Sequence, residues 1–220
     1  MKSIAYFSML VFVSFILFSC GGKESKTNDT TDTKTTEKQT KSSKSKHFYD
    51  IEKGMIEYKM ETIGIPTIMT MYWDDFGKKT YTESVMEVMG IKTSSYVLND
   101  GKYIYSWDGT TKQGTKLKFK KSQNVNYNDI TKEVMDKYQM IKEAGEEING
   151  KFCDVYSMDF QGAKTKTWIW KGIAIKTVSQ AMGMTVTTEM TKMQEGVDAP
   201  EGTFEIPSDI KFKEINSPVK

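Results

Sequence analysis

The stretch of sequence that decides the fold is IEYKMETIGIPTIMTMYW, residues 56–73. Apolar and charged side chains alternate from residue 56 to residue 61, and Gly64-Ile65-Pro66 interrupts the run. From residue 67 to residue 73 the alternation resumes, with Met69, Met71 and Trp73 sharing one face. A period of two is typical of a β-strand, because successive side chains point to opposite faces of the sheet. The stretch therefore predicts two strands separated by a turn.

The same period continues over most of residues 48–220. Turn signals such as Asn99-Asp100-Gly101 and Asn149-Gly150 separate the runs, and a short last strand is predicted at Phe204-Glu205-Ile206. Only between Asp129 and Lys142 do apolar side chains recur at helical spacing, with Asp129 placed to cap the helix and Gly145 to end it. Because one helix cannot cover so large a sheet, we expect the sheet to curl. The prediction is a mainly β domain with minor α, a strongly curved antiparallel half-barrel of nine to ten strands in one meander with one covering helix.

Residues 1–19 are predicted to be a lipoprotein signal peptide. An uncharged, mostly apolar stretch runs from Ile4 to Phe18, and Leu17-Phe18-Ser19-Cys20-Gly21 resembles the lipobox of bacterial lipoproteins. In such proteins the peptide is cut before the cysteine, which becomes acylated, so Cys20 is the predicted site of lipid attachment. Several acyl chains hold a protein stably on a bilayer. An uncleaved membrane anchor, or a secretory signal cleaved elsewhere, is the alternative interpretation.

Residues 20–47 are predicted to be the lipidated cysteine and a disordered tether. After Cys20 the segment contains only small, polar and charged residues and His47, so it cannot bury enough apolar surface to offset the entropy of ordering. As a flexible coil its ends would lie roughly 30 Å apart. The residue directly after the cysteine is Gly21 and not an aspartate, which is compatible with export to the outer membrane. Whether the domain faces the periplasm or the cell surface is left open.

The composition argues against several classes of function. The 31 basic residues are all lysine and nearly balance 29 acidic residues, so no basic face predicts a nucleic-acid partner. The single histidine, His47, lies in the tether, and Cys153 is predicted to be a buried small apolar residue. No phosphate-binding loop, zinc-binding helix or nucleophile elbow is present in the sequence. We therefore expect a protein that is not an enzyme and that uses no cofactor and no resident metal.

The second half of the chain resembles the LolA/LolB-like lipoprotein-carrier superfamily. The resemblance rests on INGKFCDVY at 148–156, WIWKGIAIK at 168–176 and the closing FEIP at 204–207, in that order. It implies a bent antiparallel half-barrel whose mouth is plugged by helices and whose concave apolar face binds acyl chains. The carrier itself uses an arginine to help control its lid, and this chain has no arginine. The resemblance therefore implies the half-barrel and its cavity rather than lipoprotein transfer.

Aromatic and methionine side chains on the strands are the candidates for binding a ligand. Methionine is unbranched and polarisable and can line a pocket that accepts variable apolar shapes, although filling an ordinary core is its commoner use. The candidate residues are Tyr58, Met69, Met71, Trp73, Tyr105, Trp107, Trp168 and Trp170.

These features predict a monomeric, membrane-anchored bacterial envelope lipoprotein whose half-barrel binds a hydrophobic small molecule such as a lipid or an acyl chain. The alternative is an envelope module that binds a partner protein and has a filled core without a ligand cavity. An open apolar trough of several hundred Å³, the size range of ligand sites, would favour the first function. A third hypothesis is weak copper(I) handling by the thioethers of Met69-Thr70-Met71 and Met182-Gly183-Met184.

Overall fold

The computed structural model describes residues 47–119, 125–160 and 162–215, with only the backbone of Phe160. Within these ranges the chain is mainly β, with one short helix, α1, at Lys132–Tyr138. The strands, in chain order from β1 to β12, are Gly54–Thr62, Ile65–Asp74, Lys79–Val88, Ile91–Asn99, Tyr103–Asp108, Gln113–Lys118, Met140–Ile148, Lys151–Phe160, Ala163–Trp170, Ile173–Ala181, Met184–Glu195 and Lys211–Ile215. The signal peptide, Cys20 and the tether up to residue 46 lie outside the described residues.

All twelve strands belong to one sheet, in the order β12-β6-β5-β4-β3-β2-β1-β11-β10-β9-β8-β7. The sheet is curved and is not closed into a barrel, so the prediction of a mainly β half-barrel with one helix is confirmed. It consists of two meanders, β1 to β6 and β7 to β11, which join where β1 pairs antiparallel with β11. The described strands number twelve rather than nine or ten. Strand β12 runs parallel to β6, a pairing that alternation along the chain does not reveal.

The helix is shorter than the sequence pattern predicted. Its N-cap is Thr131, whose hydroxyl accepts a hydrogen bond from the Val134 amide at 3.4 Å, and Asp129 lies in the preceding 3₁₀ turn. The helix ends at Gln139, which has the left-handed φ of 50°, and the chain continues directly into β7. Tyr138 and Ile141 fit a helical spacing, but Tyr138 is buried and Ile141 is exposed on β7. The predicted stop, Gly145, therefore lies within a strand.

The register defines the two faces of the sheet. Residues directly opposite each other on neighbouring strands share a face. The helix-side face is the face defined by a row of such partners, which are Tyr156, Thr167, Thr177, Thr188, Met60, Thr67 and Met86. Helix α1 packs here, because Tyr138 lies in one buried cluster with Met140, Tyr156 and Ile169. The opposite face carries the row Trp168, Lys176, Glu189, Lys59 and Ile68.

The opposite face of β4 and β5 is covered by the last part of the described chain. We call residues 197–215 the strap; its Ile210, Phe204 and Phe212 pack with Leu98, Tyr105 and Trp107. The strand predicted at Phe204-Glu205-Ile206 is wrong, since these residues form turns and irregular backbone. Prolines at 200 and 207 lack the amide hydrogen that a ladder requires, and regular pairing starts at Lys211. Within the described ranges, no helix is long and apolar enough to cross a bilayer.

Candidate ligand-binding groove

The eight candidate residues divide between the two faces of the sheet. Tyr58, Met69, Met71 and Trp73 lie on the helix-side face, because Tyr58 pairs with Met69 and Ile56 pairs with Met71. Tyr105, Trp107 and Trp168 lie on the opposite face, as the alternation of β5 and β9 requires. One continuous lining therefore cannot contain all eight side chains.

The candidates on the helix-side face are packed into the protein. Trp73 is buried; its indole N–H donates to the Ile51 carbonyl at 3.1 Å, and Tyr49 meets its ring edge-on at 5.8 Å. The Tyr58 hydroxyl donates to the Ala174 carbonyl at 2.8 Å, and burial raises its pKa well above the usual value. Met69 is buried and Met71 is half-buried. These side chains fill the centre of the sheet, which is the ordinary core role of methionine and aromatic residues.

Tyr105 and Trp107 belong to an aromatic cluster beneath the strap. The Trp107 ring stacks on Tyr96 at 5.2 Å and meets Phe212 edge-on at 6.0 Å. The Tyr105 ring also meets Phe212 edge-on, at 5.2 Å. Both side chains are buried, so they hold the strap onto the sheet.

Trp168 lines a groove of about 580 Å³ in the half of the sheet that the strap does not cover. The groove crosses strands β7 to β10, and most of its exposed lining is apolar. Ile141 is exposed and Val178 half-buried on this face, and they supply its apolar surface, whereas Trp168 is itself buried at the groove's base. Met158 and Thr165 border the groove from helix-side positions of β8 and β9. The complete lining is Gln139, Ile141, Ser157, Met158, Asp159, Lys164, Thr165, Lys166, Trp168, Val178 and Gln180.

A β-bulge in β7 fixes one wall of this groove. Residues 143 and 146, an odd number of positions apart, would point to opposite faces of a regular strand, but the register of β7 shifts between them. Both carboxylates consequently reach Lys166, whose Nζ lies 2.9 Å from Glu143 Oε2 and 2.9 Å from Glu146 Oε1. The Trp168 indole N–H donates to Glu146 Oε2 at 2.8 Å.

The electrostatics of this wall follow from the same contacts. Hydrogen bonds from Lys166 hold the pKa of Glu143 and of Glu146 below their usual values, and these bonds raise the pKa of Lys166. The ammonium groups of Lys166 and Lys176 lie 5.0 and 5.6 Å from the Trp168 ring centroid. Trp168 is thus oriented by a carboxylate at its edge and by cations at its face.

Trp170, the remaining candidate, lies at the other end of β9. The ammonium groups of Lys151 and Lys171 lie 3.7 and 4.4 Å from its ring centroid. It does not belong to the lining of the Trp168 groove. A second cavity, of about 440 Å³, contains Trp73 at its edge, but acidic and other polar residues such as Glu52, Asp74 and Asp198 dominate its lining.

The prediction for Cys153 is confirmed. Its side chain is fully buried, its Sγ lies 3.1 Å from the Lys151 carbonyl, and burial raises the pKa of the thiol. A buried thiol with a raised pKa is a poor nucleophile. Among the residues that the structure describes, no group of three or more His, Cys, Asp and Glu side chains is placed to hold a metal ion.

Sequence reasoning missed most of the groove. Ile141 fits the helical spacing that predicts the helix, and nothing in the sequence distinguishes Val178 from many similar strand residues. The signal that could have found them is Trp168 beside Lys166 on β9 and opposite Lys176 on β10, with the acidic residues at 143, 146 and 147 two strands away on β7. That signal becomes specific only once the order β7-β8-β9-β10 is known.

No protein-family model matches the sequence, and no curated protein matches it either. The chain is similar in structure to an uncharacterized conserved protein from Thermus thermophilus, with a TM-score of 0.54 and 9% identity over 76% of this chain and 92% of that one. At this identity the likeness concerns the fold alone.

Two further structures are more distantly similar. PNGF-II shares 12% identity with a TM-score of 0.43 over 76% of this chain, which spans only 31% of that protein. A Vibrio parahaemolyticus domain, named for outer membrane lipoprotein sorting, shares 10% identity with a TM-score of 0.35 over 74% of this chain and 92% of that one. No inference about this chain follows from these two likenesses.

Proposed function

We propose that this protein is a membrane-anchored, non-enzymatic lipoprotein of the bacterial envelope that binds a lipid or an acyl chain in the Trp168 groove. The observation that carries the proposal is the groove itself, which has about 580 Å³ of space and a mostly apolar lining. Ligand sites commonly enclose several hundred Å³ and combine apolar walls with a few oriented polar groups. The proposed binding surface therefore lies on the face opposite to the helix, rather than on the face that the helix covers.

The charges around the groove favour a ligand without a net charge of its own. Lys166 is matched by Glu143 and Glu146, and Lys164 lies 3.8 Å from Asp159, so no cation is left over for a free carboxylate or phosphate among the described lining residues. The remaining polar groups, on Gln139, Ser157 and Gln180, are uncharged hydrogen-bonding partners. An acyl chain that ends in an ester, amide or zwitterionic group fits this pattern.

The anchoring part of the proposal rests on the lipobox that ends at Cys20. Acyl chains on this residue would keep the domain at the outer membrane, on its periplasmic or cell-surface side, as a monomer without a nucleic-acid partner. The test of anchoring is labelling with palmitate. We expect the wild-type protein to incorporate the label and the Cys20→Ser variant to incorporate none.

Binding of a fluorescent acyl ester tests the groove. Ile141→Asp places a carboxylate on the groove wall at an exposed position, so we expect at least tenfold weaker binding with little change in folding stability. The matched control is Ile206→Asp, which alters an exposed isoleucine outside the groove and should leave binding unchanged. Equal binding by wild type and both variants, or no uptake by any of them, would contradict the proposal.

The second candidate function is an envelope module that docks a partner protein. The filled centre of the sheet favours it, because Ile56, Trp73 and Ile175 are at most 1% exposed. A wild-type protein that takes up no acyl probe and carries no extractable lipid, yet cross-links to one envelope protein in cells, would support this function instead.

A further inference from the structure

Three neighbouring hairpins turn at the same end of the sheet. The hairpins β3–β4, β1–β2 and β10–β11 are consecutive in the strand order, and each is closed by a two-residue turn. These turns are Met89-Gly90, Ile63-Gly64 and Met182-Gly183. Because neighbouring strands lie about 4.8 Å apart, adjacent turns are separated by roughly 10 Å.

The second residue of each of these three turns is the glycine that the geometry favours, but the first residue is of a type that the geometry disfavours. Both central residues have positive φ, and the first is Ile63 at 51°, Met89 at 52° or Met182 at 52°. Asparagine and aspartate are favoured at such positions, and a β-branched side chain such as isoleucine is strained there. At the other end of the sheet the equivalent turns begin with a polar residue, Asn149 or Lys171, at the same φ of 50°.

The apolar side chains of these turns point into solvent. Ile63 is 72% exposed, Met89 98% and Met182 96%, and Ile91 beside Met89 is also exposed. Strain that persists at exposed positions is a common sign of function, because packing does not explain it. We call the side chains of Ile63, Met89, Ile91 and Met182 the apolar rim.

We propose that the apolar rim inserts into the surface of the lipid bilayer to which the protein is anchored; this inference rests on the proposed anchoring at Cys20. The rim presents four side chains on three turns roughly 10 Å apart, with Val88 and Met184 partly exposed beside them, and such separate tips differ from the closely packed surface that a rigid protein partner requires. A fluid bilayer interface accepts each tip separately. Long, unbranched methionine side chains also adapt to such a medium.

The charges beside the rim are compatible with insertion. Glu87 lies directly across from Lys92 next to the Met89 turn, and Lys59 pairs with Glu61 next to the Ile63 turn. Since these charges balance, neither attraction to anionic lipid nor repulsion from it contributes much. We therefore expect insertion that depends little on salt concentration, unlike binding by a polybasic surface.

The rim also lies beside the proposed ligand groove. Val178 and Gln180 line the groove on β10, and the same strand leads within two residues to the Met182 turn. Insertion of the rim would therefore bring the open groove close to the acyl region from which its ligand comes. The described chain enters the sheet at the other end, where the Asp50 amide donates to the Lys171 carbonyl at 3.1 Å, so the predicted tether, with ends roughly 30 Å apart, has to span the sheet for the rim to reach the bilayer.

The test measures the depth of a fluorophore in the full, lipidated chain reconstituted in phosphatidylethanolamine–phosphatidylglycerol vesicles. An environment-sensitive dye is attached through Met89→Cys or Met182→Cys, and the control is Asn149→Cys, which has the same turn position at the other end of the sheet. We expect a blue shift and quenching by brominated lipid at 89 and 182 and neither at 149. Equal signals at all three positions would overturn the inference.

A second variant separates insertion from folding. In protein labelled at 182, Ile63→Asn with Met89→Asn should at least halve the quenching, while the urea midpoint stays equal or rises, since asparagine suits these turns. Unchanged quenching would contradict a role for the rim. If the dye instead shows a blue shift without quenching by brominated lipid, and the chain sediments as a dimer, the rim contacts a second copy of the chain. Flotation of the protein with the vesicles reports the anchor separately, so loss of flotation counts against the proposed function and loss of quenching alone counts against the rim.

Discussion

At the scale of single residues, two phenols show how burial sets the chemistry of this protein. The Tyr49 ring meets Trp73 edge-on at 5.8 Å, and burial raises the pKa of Tyr49 to about 12. Burial also raises the pKa of Tyr58 well above its usual value of 10.0. Both phenols are neutral in the fold, because an ionised oxygen would lose its hydration there.

Stability should consequently fall in strong alkali. The unfolded chain releases the Tyr49 proton near pH 10 and the folded chain only near pH 12, so the stabilisation is complete below pH 10 and is lost as the pH rises towards 12. The loss is up to about 1.4 kcal/mol per pH unit for each such phenol. Tyr49→Phe keeps the ring contact with Trp73 and should make the fall in urea unfolding free energy between pH 9.5 and 11.5 shallower. Parallel pH profiles for wild type and variant would show that Tyr49 does not contribute.

Side-chain alternation predicted which candidate residues share a face but not what lies over that face. Met69, Met71 and Trp73 share a face, as their spacing indicated. Nothing in the spacing says that Trp107 is covered by a strap that arrives about a hundred residues later, or that Trp168 remains beside an open groove. Those facts depend on contacts between segments that are distant in the chain.

At the scale of elements, the strap is the part of the fold that local patterns describe least well. It contains two prolines and a glycine, and its regular pairing within the described chain is the parallel one between β12 and β6. Its Ile210 is buried against Leu98, Tyr105 and Trp107, and Phe204 and Phe212 pack around the same cluster. The strap thus takes the place of a second covering helix on the opposite face of the sheet.

Truncation of that one side chain should destabilise the whole domain. Ile210→Ala removes buried apolar surface and leaves a cavity in the aromatic cluster, so we expect a loss of about 2–4 kcal/mol in the free energy of unfolding by urea. Ile206→Ala, in the same strap but exposed, should cost under about 0.5 kcal/mol. Equal effects of the two substitutions would mean that the strap is not held through Ile210.

The predicted helix extended too far, for a reason that differs from that of the strap. Apolar residues at 130, 134, 138 and 141 satisfy helical spacing, yet the chain changes to a strand after Gln139. The helix ends because Gln139 adopts the left-handed conformation. Only glycine or asparagine commonly signals such an end in a sequence, so a glutamine at this position gives no warning of it. Strands with clean alternation and Gly-containing turns, such as β1 and β2, were predicted correctly because their signals are local.

At the scale of the whole molecule, the two meanders depend on one seam. Strand β1 pairs with β2 on one side and with β11 on the other, so it is the only link in the described sheet between β1–β6 and β7–β11. Gly54 at the start of β1 lets Trp73 and the β11 backbone come close, since a Cβ there would lie 2.5 Å from both the Trp73 ring and the Gln194 carbonyl. A sheet joined in this way should unfold as one cooperative unit.

Gly54→Ala tests this unity. The new methyl group must displace a buried indole or the backbone of β11, so we expect a loss of about 1–3 kcal/mol. Because the seam serves both meanders, the slow amides of β5 and of β9 should exchange hydrogen faster by the same factor, on the order of 5–30-fold for a loss of 1–2 kcal/mol. The control is Gly145→Ala in the edge strand β7, where the methyl group meets the exposed ring of Phe152, which can turn away, and lies 3.1 Å from the Cys153 carbonyl; because β7 is at the edge of the sheet, the change should stay local. Faster exchange in only one meander of the Gly54→Ala protein would show that the two halves unfold independently, and that the seam does not hold the sheet together.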